Sequence, residues 1–324
     1  MSTTTRVHVL YGGAGFIGTN LAISLVKNSE HVVVVDLKTA PNWAVLEKIP
    51  EVKIIRITKE QNFLSNINKE LMNLNEKIGE EYEVVFWHLA ANSDIRASSQ
   101  DPKVDLDCTL RPTIHALEVF SKLTYPKVFV FASSSAVYGY QPGIKLHENS
   151  LLNPISSYGV MKMASEFLIR NEGNTNFRYF IFRFPNVVGP FLTHGIIYDL
   201  FQQLKNSSKV FFVLGDGTQT KQYMHVNELI DGMLRLIHHS QESILNLGPI
   251  SGSTSVQKIV DLFQSVNNLS WKVEYGTTPF GWNGDVPRFE FSTRRARRHK
   301  IPLFLDSSDS VKLAIEQNKV LLVD

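Results

Sequence analysis

The stretch VHVLYGGAGFIGTNLAISLV (residues 7–26) sets Gly12, Gly15 and Gly18 directly after a β-branched run and at the start of an amphipathic one. No other feature of the chain restricts its fold so tightly. In a strand–turn–helix unit of this kind one glycine permits a tight turn, the next lets backbone approach a pyrophosphate, and the third lets helix and strand pack closely. The helix N-terminus, here Phe16 and Ile17, then offers N–H groups without an intrahelical partner to an anionic ligand. A second strand-like run, HVVVVDL, reaches Asp36, 18 residues beyond Gly18. That is close to the ~20 expected of an acid that binds a ribose diol. A carboxylate there favours NAD and repels the 2′-phosphate of NADP, an effect that Lys38 tempers; a plain strand-end cap would use the same residue without any ligand.

Around this unit, short β-branched runs alternate with longer amphipathic segments. Strands are predicted at Val7–Tyr11, His31–Asp36, Val52–Ile57, Val84–Leu89, Val128–Ala132 and Arg178–Phe184. Helices are predicted at Phe16–Asn28, Asn62–Ile78, Lys103–Leu123 and Ser157–Arg170. The alternation implies an α/β fold, a Rossmann-type doubly wound parallel sheet whose ligands bind beyond the carboxyl ends of the strands. After Pro185 the loops lengthen (NVVGPFLTHG, LGDGTQTKQ, YGTTPFGWNGDVPR) and the alternation weakens. A smaller, mixed α/β C-terminal substrate domain is expected there, with Ile244–Leu247 returning to the main sheet.

Composition bounds what this fold can do. In 324 residues, 43% are hydrophobic and 20% charged, enough apolar material for a substantial core. The net charge of +2 points to neither nucleic acid nor a membrane surface. The single cysteine, Cys108, cannot close an intramolecular disulfide, which fits a reducing compartment. No apolar run approaches the ~18 residues of a membrane span, and the N-terminus lacks a basic-then-apolar signal. A cytoplasmic protein is expected. The basic run RRARRHK (Arg294–Lys300) is short and reads as a solvated helix face. His194 and His225 have no second ligand at metal spacing and read as structural or peripheral, so no metal site is predicted.

The chemistry points to FASSSAVYG and SYGVMK. Ser134 and its neighbours end a strand, and Tyr158 and Lys162 stand one helical turn apart on one face. A phenol with a pKa of ~10 is a poor base at neutral pH. A nearby ammonium, with a positive nicotinamide ring, is expected to lower that value. Tyr158 then takes a proton from a substrate hydroxyl while the cofactor carries the hydride. Alone, a Tyr and Lys at this spacing are usually structural; here they follow a serine-tipped strand in a dinucleotide-binding chain.

Taken together, these motifs resemble the extended short-chain dehydrogenase/reductases of the nucleotide-sugar epimerase/dehydratase family, and in the family's order. GGAGFIG is similar to its glycine motif, FWHLAA to its fourth strand, SSSAVYG to its catalytic serine loop, SYGVMK to its YxxxK, and RFPNVVGP to its RxxNxxGP turn. GDGTQTKQYMHV, LNLG and GDVPRFEFSTRRAR then follow. The resemblance implies Ser134, Tyr158 and Lys162 as the catalytic set, with Lys162 orienting Tyr158 and the nicotinamide ribose. It implies Leu89, Ala90, Ala91, Ser133, Pro185 and Val188 beside the cofactor, and Asn186 against the sugar nucleotide. Asn92 and Ser93 follow the fourth strand, where the family contacts the sugar; Asp94 and Arg96 there read equally as sugar contacts or as a surface salt bridge. Residues 1–185 become the NAD-binding domain and 186–324 mainly the nucleotide-sugar domain, with a segment near 220–250 returning to the first. A homodimer through Lys103–Leu123 and Ser157–Arg170 is implied by resemblance alone.

The departures from the family pattern narrow the reaction. Sugar 4,6-dehydratases follow their catalytic Thr with Asp-Glu, whereas Ser135 and Ala136 follow Ser134 here. An NAD-dependent nucleotide-sugar 4-epimerase, on a UDP-hexose or UDP-N-acetylhexosamine, is the expected activity. A dehydratase, a C4-dehydrogenase that releases its keto product, and a non-catalytic NAD-binding protein are the alternatives. Tyr11 replaces the usual Thr, RITKEQ lacks the usual Gly-Asp, and DLDCTLRPT lacks the usual Asn. Lys221 stands for a diphosphate-gripping Arg without its bidentate geometry. Trp282 and Asn283 stand where a second Arg is usual, with Arg288 as its possible substitute.

Overall fold

Val32, Val33, Val34 and Val35 are all at most 2% exposed. A run of β-branched residues that buries both of its faces can only be an interior strand of a covered parallel sheet. The computed structural model describes residues 5–58, 64–79, 81–172, 177–206, 209–241, 243–282 and 284–322. In it seven parallel strands form the sheet: β1 (Thr5–Tyr11), β2 (His31–Leu37), β3 (Val52–Ile57), β4 (Tyr82–His88), β5 (Lys127–Ala132), β6 (Arg178–Arg183) and β7 (Ile244–Asn246). Their spatial order is β7-β6-β5-β4-β1-β2-β3. The order reverses between β1 and β4, which opens a crevice beyond their carboxyl ends. There Leu89 N and Ala90 N both donate to Tyr11 O, at 2.8 and 3.0 Å, and draw the chain across the end of β1.

On one face of the sheet Val7, Val9, Val33 and Val35 pack on α2 (Leu64–Ile78) and α3 (Arg111–Lys122). On the other, Leu10, Val34, Val85 and Trp87 share one apolar cluster with α1 (Phe16–Lys27) and with the C-terminal helices α5 (Ile196–Lys205), α6 (Val226–His239), α7 (Val256–Val266) and α8 (Ser307–Gln317). Before them comes α4 (Ser157–Arg170), which spans the predicted residues. Its N-cap Ser156 accepts from Gly159 N. The C-terminal region is therefore richer in helix than its long loops suggest, and side chains of His225, Ser255 and Asp306 cap α6, α7 and α8. Ile244–Asn246 pairs with β6 at the sheet edge.

One predicted element is corrected. The single helix expected at Lys103–Leu123 is a short turn, Pro102–Asp105, then a π-helical turn, Leu106–Leu110, then α3. Pro112 has no N–H for an i→i−4 bond, and the wide turn ahead of it takes up the break. Asn62, the expected start of α2, lies outside the described residues, as does Asn283. Arg294–Arg297 is a short helix with Ala296 buried and Arg294, Arg297 and Arg298 exposed. Among the described residues, no helix is long and apolar enough to cross a membrane.

Candidate active site

The crevice is a cleft of about 1660 Å³, and every predicted site residue except Arg288 lines it. Arg288 is exposed, outside that lining.

At one end the backbone makes the walls. Gly12 has φ +84°, and a Cβ built on it would stand 2.4 Å from Ala90 N. The left-handed turn and the close approach of the chain after β4 thus both require glycine. A Cβ on Gly18 would stand 2.5 Å from Gly13 Cα, so helix and turn touch there. α1 begins at Gly15 with no side-chain cap and no acid in its first turn. Gly15 N already donates to Gly12 O at 3.3 Å, but Phe16, Ile17 and Gly18 of the first turn, whose N–H groups have no intrahelical partner, line the cleft, where an anion could sit. Asp36 Oδ2 accepts from Ala14 N (2.9 Å) and Oδ1 from Leu37 N (2.7 Å). Burial pushes its carboxyl up to about 6, against the pull of these backbone donors. A carboxylate offers about four acceptor sites, so the tether leaves capacity for a ribose diol. An uncapped helix end and a strand-end acid in one cleft fit a dinucleotide such as NAD.

At the middle of the cleft lie the hydroxyls. Ser134 caps the 3₁₀ turn Ser135–Tyr138, its Oγ accepting from Ala136 N at 3.1 Å, and its hydroxyl is close enough to Tyr158 to draw the phenol down. Lys162 is 2% exposed; its Nζ donates to Ala132 O at 2.6 Å and lies 4.6 Å over the Phe131 ring and 5.8 Å over that of Tyr158. Burial lowers its amine to about 7, with the nearby Glu166 working against the fall. Tyr158 departs from expectation. In the protein alone its phenol is raised, not lowered: loss of solvent dominates, the Ser134 hydroxyl pulls the other way, and the charge of Asp105 pushes it further up. Sequence spacing gives the neighbours of a phenol but not its desolvation.

Ser133 lines the cleft, but its Oγ donates to Glu166 Oε1. Behind it is a buried polar network. Arg183 grips Glu166 with two nitrogens (Nε to Oε1, 2.8 Å; Nη2 to Oε2, 2.5 Å), and its Nη1 donates to Tyr138 Oη (2.9 Å) and Glu148 O (3.0 Å). Tyr138 Oη in turn donates to Asn246 Oδ1 at 2.7 Å. These groups tie the ends of β5, β6 and β7 to α4. Of their signals, only an acid one turn after Lys162, on the buried side of α4, was open to sequence reasoning.

The far end is built from side chains of the C-terminal half. Asn186 Nδ2 and Gln219 Oε1 are buried without a hydrogen-bond partner, and both residues line the cleft. Lys221 Nζ is ion-paired with Asp285, whose Oδ2 accepts from Gly281 N at 3.0 Å. Asn92 turns inward: its Nδ2 donates to Asp94 O and to Asp105 Oδ1, and its Oδ1 accepts from Asp94 N. Ser93 is exposed at the rim. His225 caps α6 and meets Gln317 at 2.8 Å, a structural place.

Residues 8–248 match the NAD dependent epimerase/dehydratase family. A Methanocaldococcus jannaschii protein provisionally named UDP-glucose 4-epimerase is 31% identical over 260 residues, 78% of this chain and 80% of its own. Among solved structures, a UDP-galactose 4-epimerase has a TM-score of 0.79 at 27% identity, over 97% of this chain and 98% of its own. The UDP-glucuronic acid 4-epimerase of Bacillus cereus, solved with UDP-glucuronic acid and NAD, has a TM-score of 0.80 at 25% identity, over 98% of this chain and 100% of its own.

Proposed function

The chain belongs to the NAD-dependent epimerase/dehydratase family, and from that premise we propose that it is an NAD-dependent nucleotide-sugar 4-epimerase, acting on a UDP-hexose or UDP-N-acetylhexosamine through a transient 4-keto sugar. The observation that carries this reading is the grouping of Ser134, Tyr158 and Lys162 in a cleft whose other end is the glycine turn. Ser135 and Ala136, next along the 3₁₀ turn, supply neither the acid nor the base that 4,6-dehydration needs.

Tyr158 Oη takes the proton from the C4 hydroxyl of the sugar and returns one after the ring has turned over. Ser134 Oγ, beside that phenol, holds the reacting oxygen. Lys162, 5.8 Å over the Tyr158 ring, favours phenolate against the cost of burial whenever its amine is protonated. When bound, NAD supplies the hydride acceptor and donor at C4. For that cofactor, the N–H groups at Phe16–Gly18 would hold the pyrophosphate, Asp36 the ribose diol, and Leu89–Ala91, Pro185 and Val188 would flank the nicotinamide end. Asn186 brings an unmatched donor to the sugar nucleotide, and Ser93 a hydroxyl at the rim. Lys221 faces the diphosphate, which must compete with Asp285 for its ammonium. Arg288, exposed beyond the lining, takes part only if its loop moves.

The same reading makes residues 1–185 the NAD-binding part and 186–324 mainly the nucleotide-sugar part, with the segment near 220–250 returning to the first. It also makes the protein a cytoplasmic homodimer. Support for the dimer comes from exposed apolar side chains on α3 and α4, namely Ile114, Val160, Phe167 and Leu168. The test is product analysis by mass spectrometry and NMR after incubation with separate UDP-, GDP-, CDP- and dTDP-sugars. Unchanged mass with inverted C4 stereochemistry is expected for a UDP-sugar. Loss of water, or of two hydrogens with NADH formed, would replace the reading with a dehydratase or a C4-dehydrogenase.

A further inference from the structure

Asp105 is 0% exposed, and the reaction as described makes no use of it. Its Oδ2 accepts from Ser157 Oγ at 2.5 Å and its Oδ1 from Asn92 Nδ2 at 2.8 Å. The first donor belongs to the residue directly before Tyr158, in the first turn of α4. The second belongs to the loop after β4, which lines the cleft. Asp105 stands at the junction with the π-helical turn, and one turn on Thr109 Oγ1 accepts from Asn92 N at 3.1 Å. The irregular turn therefore grips one asparagine twice, by backbone and by side chain, and holds the start of α4 with the same carboxylate.

A neutral amide could accept one of these hydrogen bonds without a buried charge. An ionised carboxylate away from water costs several kcal/mol unless well partnered. Both hydrogen bonds that Asp105 accepts come from elements of the cleft, so the carboxylate ties the two together. We propose that Asp105 is a positioning residue: it clamps the first turn of α4 to the loop after β4 and, through Ser157, fixes the Tyr158 phenol against the reacting hydroxyl. The inference rests on the epimerase reading for its kinetic consequence, but not for its structural one. Among the described residues, Lys162 on the same helix lies 5.8 Å over the Tyr158 ring, the charge of Asp105 from the segment before α3 raises the phenol, and Glu166 and His88 face Lys162. Removing the Asp105 charge lets the phenol ionise at lower pH.

The test uses NAD-loaded wild type, Asp105→Asn, Asp105→Ala and Ser157→Ala, each with a Tyr158→Phe counterpart as spectroscopic blank. The ultraviolet difference between a protein and its blank reports the Tyr158 phenolate without any turnover. Asp105→Asn is expected to titrate the phenol at lower pH than wild type and to move the acidic limb of the kcat profile the same way. Asp105→Ala and Ser157→Ala are expected to lower kcat about tenfold with KM little changed, as a misplaced base would, and Asp105→Asn to recover part of that loss. Ser157→Ala serves if Asp105→Ala does not fold. An unmoved phenol titration in Asp105→Asn, or kcat unchanged in both other variants, overturns the proposal. A wild type that inverts no sugar overturns the epimerase reading instead, and the phenolate titration then still decides the place of Asp105.

Discussion

The two ends of the cleft are made of different material. Around the glycine turn the wall is backbone: Ala90 N would stand 2.4 Å from a Cβ on Gly12, and α1 turns an uncapped N-terminus to the ligand. At the far end the wall is side chains, among them Asn186 and Gln219 with buried polar atoms unmatched and Lys221 paired to Asp285. The shape of the first surface is set by backbone and by the uncapped turn of α1. The second carries buried polar atoms on Asn186 and Gln219 that lack a partner in the protein, and buried polar groups left unpaired are costly enough to serve as selectors.

Substitutions can break or sharpen the contrast. The largest effect is expected at the buried pair behind the hydroxyls. Arg183→Met leaves Glu166 uncompensated at 0% exposure and should cost roughly 3–5 kcal/mol in denaturant unfolding. A loss under ~1 kcal/mol would mean that the pair is not a support. Next comes Gly12→Ala, which forces a collision with backbone and should cost roughly 2–4 kcal/mol and abolish NAD retention. NAD retained at wild-type content would show a yielding wall and erase the contrast. At the far end Asn186→Ala should leave NAD content and stability nearly unchanged while raising KM for the nucleotide sugar about tenfold. A drop in NAD content with no change in KM would assign Asn186 to the cofactor end.

The smallest effect is a pH slope. Burial lowers the Lys162 amine to about 7. Between that value and its unfolded range the unfolded chain binds more protons than the folded one, so stability rises with pH. Compared with Lys162→Met, the wild type should gain stability from pH 7 toward 10, by no more than ~1.4 kcal/mol per pH unit. Below pH 7 the slope should vanish. Equal slopes in both proteins would mean that the amine stays charged in the fold.

The same contrast explains what could be read from the chain. β1 to β6 and α4 were legible because burial on both faces selects β-branched runs and Ser156 caps a helix. The glycine turn was legible because backbone geometry dictates residue type. The pattern of α6 is present too, in Leu229, Ile230, Met233, Leu236 and Ile237, but long loops flank it and break the alternation with strands. The rest depends on distant pairs. Ser157 meets Asp105 across 52 positions, and Asn246 meets Tyr138 across 108. No local period encodes such meetings. The raised phenol of Tyr158 belongs here as well, because its cause is desolvation by the whole fold.

One measurement tests the central claim most directly: incubation of the NAD-loaded protein with UDP-glucose deuterated at C4, followed by NMR and mass analysis. Inversion at C4 is predicted, with the deuterium still on that carbon and the mass unchanged, since the hydride that leaves must be the one that returns. Product lighter by water, or a 4-keto sugar released with deuterated NADH, would contradict the account.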